Sequence, residues 1–498
     1  MKFSLSTKYL FLIFLISFFL FLPSLSTFYT NDDFFLLKIS QANSVKEFLN
    51  FFNLTRGPDG LGMYRPLTTQ VFYFLARKIF NLNPLGLHVI SFFIFFAVIF
   101  LVYKFCLLLL NDHKSPFTNH ISLLAAFLYA TSATHFGHLY FLGAFQELGL
   151  ALFFLLSVLS FIKFLHKSST NYLLLSLLFF VLSLLSKETA VVLPLCLFLI
   201  YIFFKLTKKS APLPINRLIA STAPYFLILI FYFYFRFAYY GFATGDSYVW
   251  DFSVKRAVNT LGWYGLWSFN LPEMLVDFVG PGFHFNPNLF KYWSSQIIPI
   301  LTLFLLELFL LSAAVYKFFS SSIRKLEIRN LKLVIFGTSW FLITLLPVLF
   351  LPLHKFTFYL TLPLMGVVVF ISYSLVTNHK PLAIFSFLAI WLILSVLTLN
   401  LTAETNWITK GAQTAKRVHN YFLENAETLE KYKTIAFYDT DEDNDLPWSP
   451  TEILKVTLSD QNYFKVFWNN KLSAEYKRFK GDFGRNTWPI ESRQFLGY

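Results

Sequence analysis

The chain has 498 residues, 56% of them hydrophobic and only 14% charged, a balance that excludes an ordinary water-soluble globular protein. Its net charge of +14 is not the footprint of a nucleic-acid binder. Before residue 403 there are 28 Lys and Arg against 13 Asp and Glu, the bases gathered in short connections between apolar runs, whereas the remainder is nearly balanced.

Aromatic residues at 20%, together with apolar runs of membrane-spanning length, make the bilayer the expected solvent. Spans are predicted near residues 9–25, 84–110, 120–134, 141–163, 172–186, 190–205, 218–238, 297–317, 333–351, 358–376 and 382–401, about eleven in all. The first run has no small-x-small cleavage site and reads as a retained span. Lys2 and Lys8 place the N-terminus in the cytoplasm. Alternation then puts Lys114, Lys163, Lys167, Lys205, Lys208, Lys209, Arg324, Lys325, Arg329, Lys332 and Lys380 on the same side, and acid collects on the outer face.

Two long outer connections, 26–83 and 239–296, carry amphipathic stretches at 67–80 and 254–271 that suit the membrane interface, with Trp263 and Trp267 at headgroup depth. Cys106 and Cys196 both lie inside apolar runs, so neither a disulfide nor a thiolate metal site is expected. After residue 402 the composition turns charged and balanced. The 403–498 segment is therefore expected to be a small α/β domain outside the membrane, with a helix over 414–432, strands at 434–438 and 463–468, and an acidic loop at 439–450 between them.

The polar residues that interrupt this pattern are few. Asp32 and Asp33 follow the first span, either capping a helix over 34–39 or offering a base or metal ligand at the outer surface. Tyr64 and Arg65 stand just before Pro66, which suits a first helical turn; Arg65 is either an interfacial anchor or a bidentate phosphate ligand. His135 and His138 open the fourth span, with Glu147 further along it. Lys187 and Glu188 fill the tight turn between two spans, as a self-satisfied ion pair or as an anion site. His354 and Lys355 occupy the equivalent turn between the ninth and tenth spans, and Arg236 ends the seventh on the same side. Glu307 alone sits mid-span, where an interhelical hydrogen bond or an ion path would explain it. The others share one membrane level on the outer face, as a site built between helices requires; a transporter would set them nearer the midplane.

The order of these motifs resembles the GT-C class of membrane glycosyltransferases, in particular its protein O-mannosyltransferase-like and tetratricopeptide-bearing mannosyltransferase branches. The resemblance rests on Asp32-Asp33, Tyr64-Arg65-Pro66-Leu67, Asn83-Pro84 with His88, His135 and His138 before Gln146-Glu147-Leu148, Leu185-Ser186-Lys187-Glu188-Thr189, the 256–277 stretch and the 353–363 turn. It extends to about residue 401. Tyr140 and Lys355-Phe356 depart from the acid and the Arg-Tyr pair common at those places, and the tail has no tetratricopeptide pattern.

The resemblance implies a GT-C-like fold for the all-α polytopic membrane part, residues 1–402, ahead of the small extracytoplasmic domain; the Lys and Phe content and the lack of structural cysteine suit a prokaryotic plasma membrane, with the endoplasmic reticulum as the alternative. It implies inverting transfer of a sugar from a polyprenyl-phosphate donor to a glycan, lipid or protein acceptor on the outer side. Asp32, ahead of Asp33, would be the general base, and Lys187, Arg65 and Lys355 would neutralise the departing phosphate. Tyr64, His138, Glu147, Glu188, Arg236 and His354 would complete the substrate site. No cofactor is required by any motif, although a divalent cation is compatible with the acidic pair. A transporter or flippase of lipid-linked substrates is the alternative that Glu307 and the many spans suggest, and a noncatalytic scaffold is a third.

Overall fold

The computed structural model describes residues 5–55, 62–110, 117–207, 213–245, 247–280, 282, 284–325, 328–378, 381–443, 445–479, 481 and 483–497, without the side chains of 317–330 and 378. Lys2, Lys114, Lys208, Lys209 and Lys380 lie outside the described residues, as do the side chains of Arg324, Lys325 and Arg329.

Helix dominates, and eight helical stretches among the described residues are long and apolar enough to cross a bilayer. They are Leu5–Ser26, Pro84–Leu110, Leu142–Lys167, Glu188–Thr207, Ile215–Tyr240, Pro287–Tyr316, Leu331–Leu349 and Pro381–Thr405. The remaining expected spans form helices too, but short ones: Thr118–Ala130, Thr170–Leu184 and Leu364–Asn378. Pro84 begins its helix where a missing amide costs nothing.

Phe145–Lys167 is the central helix, buried along most of its length between Pro84–Leu110 and Thr170–Leu184. Lipid tails are as apolar as the helices, so association needs close packing and interhelical hydrogen bonds. Both are present. Ser157 donates to the Ser176 carbonyl (2.7 Å) and Tyr225 to Ser176 Oγ (2.6 Å), which ties three helices together. Gly337 and Gly366 face each other across Ile328–Leu349 and Leu364–Asn378; a Cβ on Gly337 would lie 2.7 Å from the Gly366 carbonyl.

The long Pro287–Lys325 helix carries a kink at Trp293. Phe72–Phe80 and Val254–Trp267 realise the two amphipathic stretches. A π-helical turn, Leu67–Val71, precedes the first of them, and a second, Arg236–Tyr240, ends Ile215–Phe235.

The tail is a parallel three-stranded sheet with helices against it. Thr434–Tyr438 is the middle strand, paired with Ser473–Lys477 from Thr434↔Ser473 and with Thr487–Glu491 from Thr434↔Thr487. The expected helix begins earlier, at Trp407, and stops at Glu424, where Asn425 caps it. The expected strand at 463–468 is instead the helix Asn462–Phe467. Positive φ at Ser459 and Asp460 turns the chain just before it, and a helix lets Tyr463, Phe464 and Phe467 meet the aromatic side chains of the tail and of the connection after the first span together.

That second contact is extensive. Phe28 stacks on His419 (5.1 Å between ring centroids), and Phe34 meets Tyr463 edge-on at 5.4 Å. The Asn31 amide donates to the Thr457 carbonyl at 2.8 Å, and Gly411 comes so near Thr30 that a Cβ there would lie 2.5 Å from its hydroxyl. The tail is thus seated directly on the segment that holds the acidic pair.

Candidate functional site

The two aspartates open the Asp32–Ile39 helix but face different ways. Asp33 is fully buried, its carboxylate accepting the Thr30 amide (3.0 Å) and the Tyr73 hydroxyl (2.9 Å). Burial pushes its carboxyl up to about 7 against the pull of those two donors. Asp32 is exposed. Asp33 is accordingly the brace of the turn, and Asp32 is the carboxylate presented outward.

Arg65 is held by the π-turn beside it. Leu67 donates its amide to the Leu185 carbonyl (3.2 Å) and Thr68 its hydroxyl to the Ser186 carbonyl (2.6 Å), which clamps this segment to the turn carrying Lys187 and Glu188. Gly149 permits the approach, since a Cβ there would meet the Thr68 methyl at 2.5 Å. From this position Arg65 grips Glu188 bidentately, Nε donating to Oε2 at 2.5 Å and Nη2 to Oε1, while Nη1 donates to Gln146 Oε1. Gln146 is oriented in turn by the Gly143 carbonyl, which accepts its amide at 2.8 Å.

Lys187, beside Glu188, pairs with Glu147, one residue beyond Gln146. Its ammonium lies 4.5 Å above the Tyr359 ring. Arg65, Glu147, Lys187 and Glu188, expected on separate grounds, therefore form one layer of alternating charge.

His354 closes this layer. Its Nδ1 lies 2.6 Å from Ser247 Oγ, its ring 4.0 Å from Tyr248 and 5.8 Å from Tyr359. Burial, reinforced by the Lys187 and Arg65 charges, holds its imidazole down to about 3, so the ring is neutral at physiological pH. Burial pushes the Tyr248 phenol up; Arg65 pulls it back, and Glu188 and Asp32 push it further. Tyr248 is thereby within electrostatic range of the outward aspartate and of both members of the Arg65 pair.

Arg236 lies near enough to Glu188 to act on its carboxylate and 5.9 Å from the Tyr240 ring, yet its Nη1 is buried without a hydrogen-bond partner among the described residues. Tyr64 donates to the Phe52 carbonyl (2.9 Å) and packs at a tilt against Tyr240 (5.6 Å between ring centroids), serving the loop's packing at the edge of the layer.

Two expected members are elsewhere. His138 is buried against His135, with its Nε2 3.1 Å from His135 Nδ1, in a pocket of Phe95 and Tyr129. The chain breaks into a separate short helix, Phe136–Tyr140, before the central helix begins, and this turns the histidine into the core. Lys355 follows His354 but points the other way, to Asn259 Oδ1 at 3.3 Å and the charges of Arg256 and Asp277. Glu307 is completely buried, and both of its carboxylate oxygens lack hydrogen-bond partners among the described residues.

Tyr248 and Ser247 were not among the expected residues. Their only sequence signal was a place in the long 239–296 connection, which is brought in by the Asp251 amide donating to the Phe350 carbonyl at 3.0 Å. Glu273 was likewise missed as an anchor: it accepts from the Thr357 amide (2.6 Å) and hydroxyl (2.7 Å), fixing the turn that presents His354.

Among the described residues no three His, Cys, Asp or Glu side chains are grouped as a metal ion would need. No protein-family model matches the chain, and no curated protein matches its sequence.

Proposed function

We propose that this chain is a GT-C-type membrane glycosyltransferase of about eleven spans that moves a sugar from a polyprenyl-phosphate donor to an acceptor at the outer face, inverting the anomeric carbon. The N-terminus is then cytoplasmic and the 403–498 domain extracytoplasmic. The observation that supports the reading is Tyr248, which packs on His354 and feels the charges of Arg65, Glu188 and Asp32, residues contributed by the late turn, the first long connection and the mid-chain turn.

In this reading Asp32 takes the proton from the acceptor hydroxyl as its oxygen bonds to the anomeric carbon. The bond from that carbon to the phosphate oxygen breaks, and the electron pair leaves with the lipid phosphate. Arg65 and Lys187 already have carboxylate partners, so they set the field and position their neighbours. Arg236, whose Nη1 has no hydrogen-bond partner among the described residues, is the cation proposed to meet the phosphate. Asp33 and Tyr73 hold Asp32's turn.

The test is transfer from a panel of polyprenyl-phosphate sugars by the purified protein. Asp32→Asn should lose about 10²- to 10⁴-fold in rate, and Arg236→Gln should weaken donor use while leaving the fold intact. Wild-type turnover by Asp32→Asn would end this mechanism.

A flippase of lipid-linked substrates is the second reading, favoured by Glu307, a mid-span carboxylate without a hydrogen-bonding partner among the described residues. It requires lipid translocation that Glu307→Gln abolishes and Asp32→Asn spares.

A further inference from the structure

Away from the charged layer, the outer end of the Phe72–Phe80 helix and the chain after Ile39 enclose a cavity of about 380 Å³. Its polar lining is Ser40, Gln41, Asn43, Arg77, Lys78 and Asn81. Two cations and a set of hydroxyl and amide groups face one space, and the lining contains no carboxylate. Glu47 is the nearest acid along the chain, and its carboxylate is engaged by the Asn43 amide at 2.7 Å.

Arg and Lys in the last turn of a helix commonly serve its terminal carbonyls. Arg77 lines the cavity, while its Nη1 is turned away from solvent with no hydrogen-bond partner among the described residues and its charge acts on the buried Tyr29 hydroxyl. The part of the guanidinium that lines the cavity pairs more strongly with an anionic oxygen than with any neutral group. Lys78 lies over the Phe74 ring at 5.7 Å, at the mouth of the same space.

The helix also indicates what kind of molecule carries the oxygen. Tyr73 and Ala76 are fully buried, whereas Leu75 and Ile79 are 48% and 67% exposed on the opposite face, the pattern of a helix lying in the membrane interface. Acyl chains can run along Leu75 and Ile79 while a headgroup turns in toward Arg77. We propose that this cavity binds a phosphate group, that of an anionic lipid headgroup, with Arg77 as its principal ligand and Lys78 as the second.

The site does not depend on glycosyl transfer. It does adjoin the acidic pair, because Tyr73, which donates to Asp33 at 2.9 Å, lies one helical turn before Arg77.

Binding is measured on the full-length protein in neutral detergent, by native mass spectrometry, with dioctanoyl phosphatidylglycerol as probe. Dioctanoylglycerol, which has the same chains and no phosphate, is the control, and inorganic phosphate is added as competitor. The phospholipid should bind and dioctanoylglycerol should not displace it. Arg77→Gln should weaken binding by about ten- to a hundredfold, Lys78→Gln by less, and Arg77→Lys should keep part of it. Competition by inorganic phosphate identifies the free anion as sufficient; its failure identifies the lipid as the ligand. Should Arg77→Gln fold poorly, Asn43→Asp places a repelling charge in the same lining and should lower affinity likewise. Equal binding by a folded Arg77→Gln protein, or equal binding of dioctanoylglycerol, would overturn the site.

Discussion

At the scale of single residues, the neighbouring aspartates have opposite environments and should respond differently to the same change. Burial lifts the Asp33 carboxyl from 3.8 in an unperturbed chain to about 7. Between those values the folded protein holds a proton that the unfolded chain has released. The stability this group adds is therefore complete below 3.8 and is lost as pH rises through about 7. Asp33→Asn removes the titration while its amide can still bond Tyr73 with the hydroxyl reversed. The melting temperature of the wild type should fall more steeply than that of Asp33→Asn between about pH 4 and pH 7, as differential scanning fluorimetry can read. The Arg65 and Glu188 pair makes a different demand. Glu188→Gln leaves a buried guanidinium underpaired and should cost about 3–5 kcal/mol, measured by denaturation in detergent, and Arg65→Lys should not rescue the geometry because one ammonium cannot reproduce the fork.

Elements were legible in proportion to how far a local pattern decided them. Pro84–Leu110 was expected to the residue, because proline marks its start and a long apolar run its course. The helix Asn462–Phe467 was mistaken for a strand because its short aromatic run has no period of its own. It is helical because Phe34 and Phe422 lie on two sides of it, a fact held far away in the chain. The charged layer shows the same division. Arg65, Glu147, Lys187 and Glu188 were conspicuous as charges within apolar sequence, whereas Tyr248 is one of 26 tyrosines and nothing local singles it out. His138 and Lys355 had the right chemistry, but a single turn of backbone decides which way each points. The crossing of Ile328–Leu349 and Leu364–Asn378 yields a prediction at this scale. Gly366→Ala would press its methyl into the Gly337 carbonyl, and overpacking of this kind typically costs about 1–3 kcal/mol; a lowered melting temperature with unchanged helical circular dichroism would register it.

For the whole molecule, the aromatic seam between the connection after the first span and the tail joins two distant parts of the chain. Tyr463 is fully buried there, edge-on to Phe34 and with its hydroxyl 3.1 Å from His419 Nδ1. Tyr463→Ala should cost about 3–5 kcal/mol, and limited proteolysis should then cut the Asp32 loop and the tail together. Cleavage confined to the tail would mean that the loop stands without it. The bond from the Asn31 amide to the Thr457 carbonyl carries a temporal consequence. The acidic pair emerges from the ribosome first, and the partner that steadies it is translated more than four hundred positions later. Until then the turn that holds the two aspartates lacks this contact, and its setting is completed only when the later segment folds back onto it.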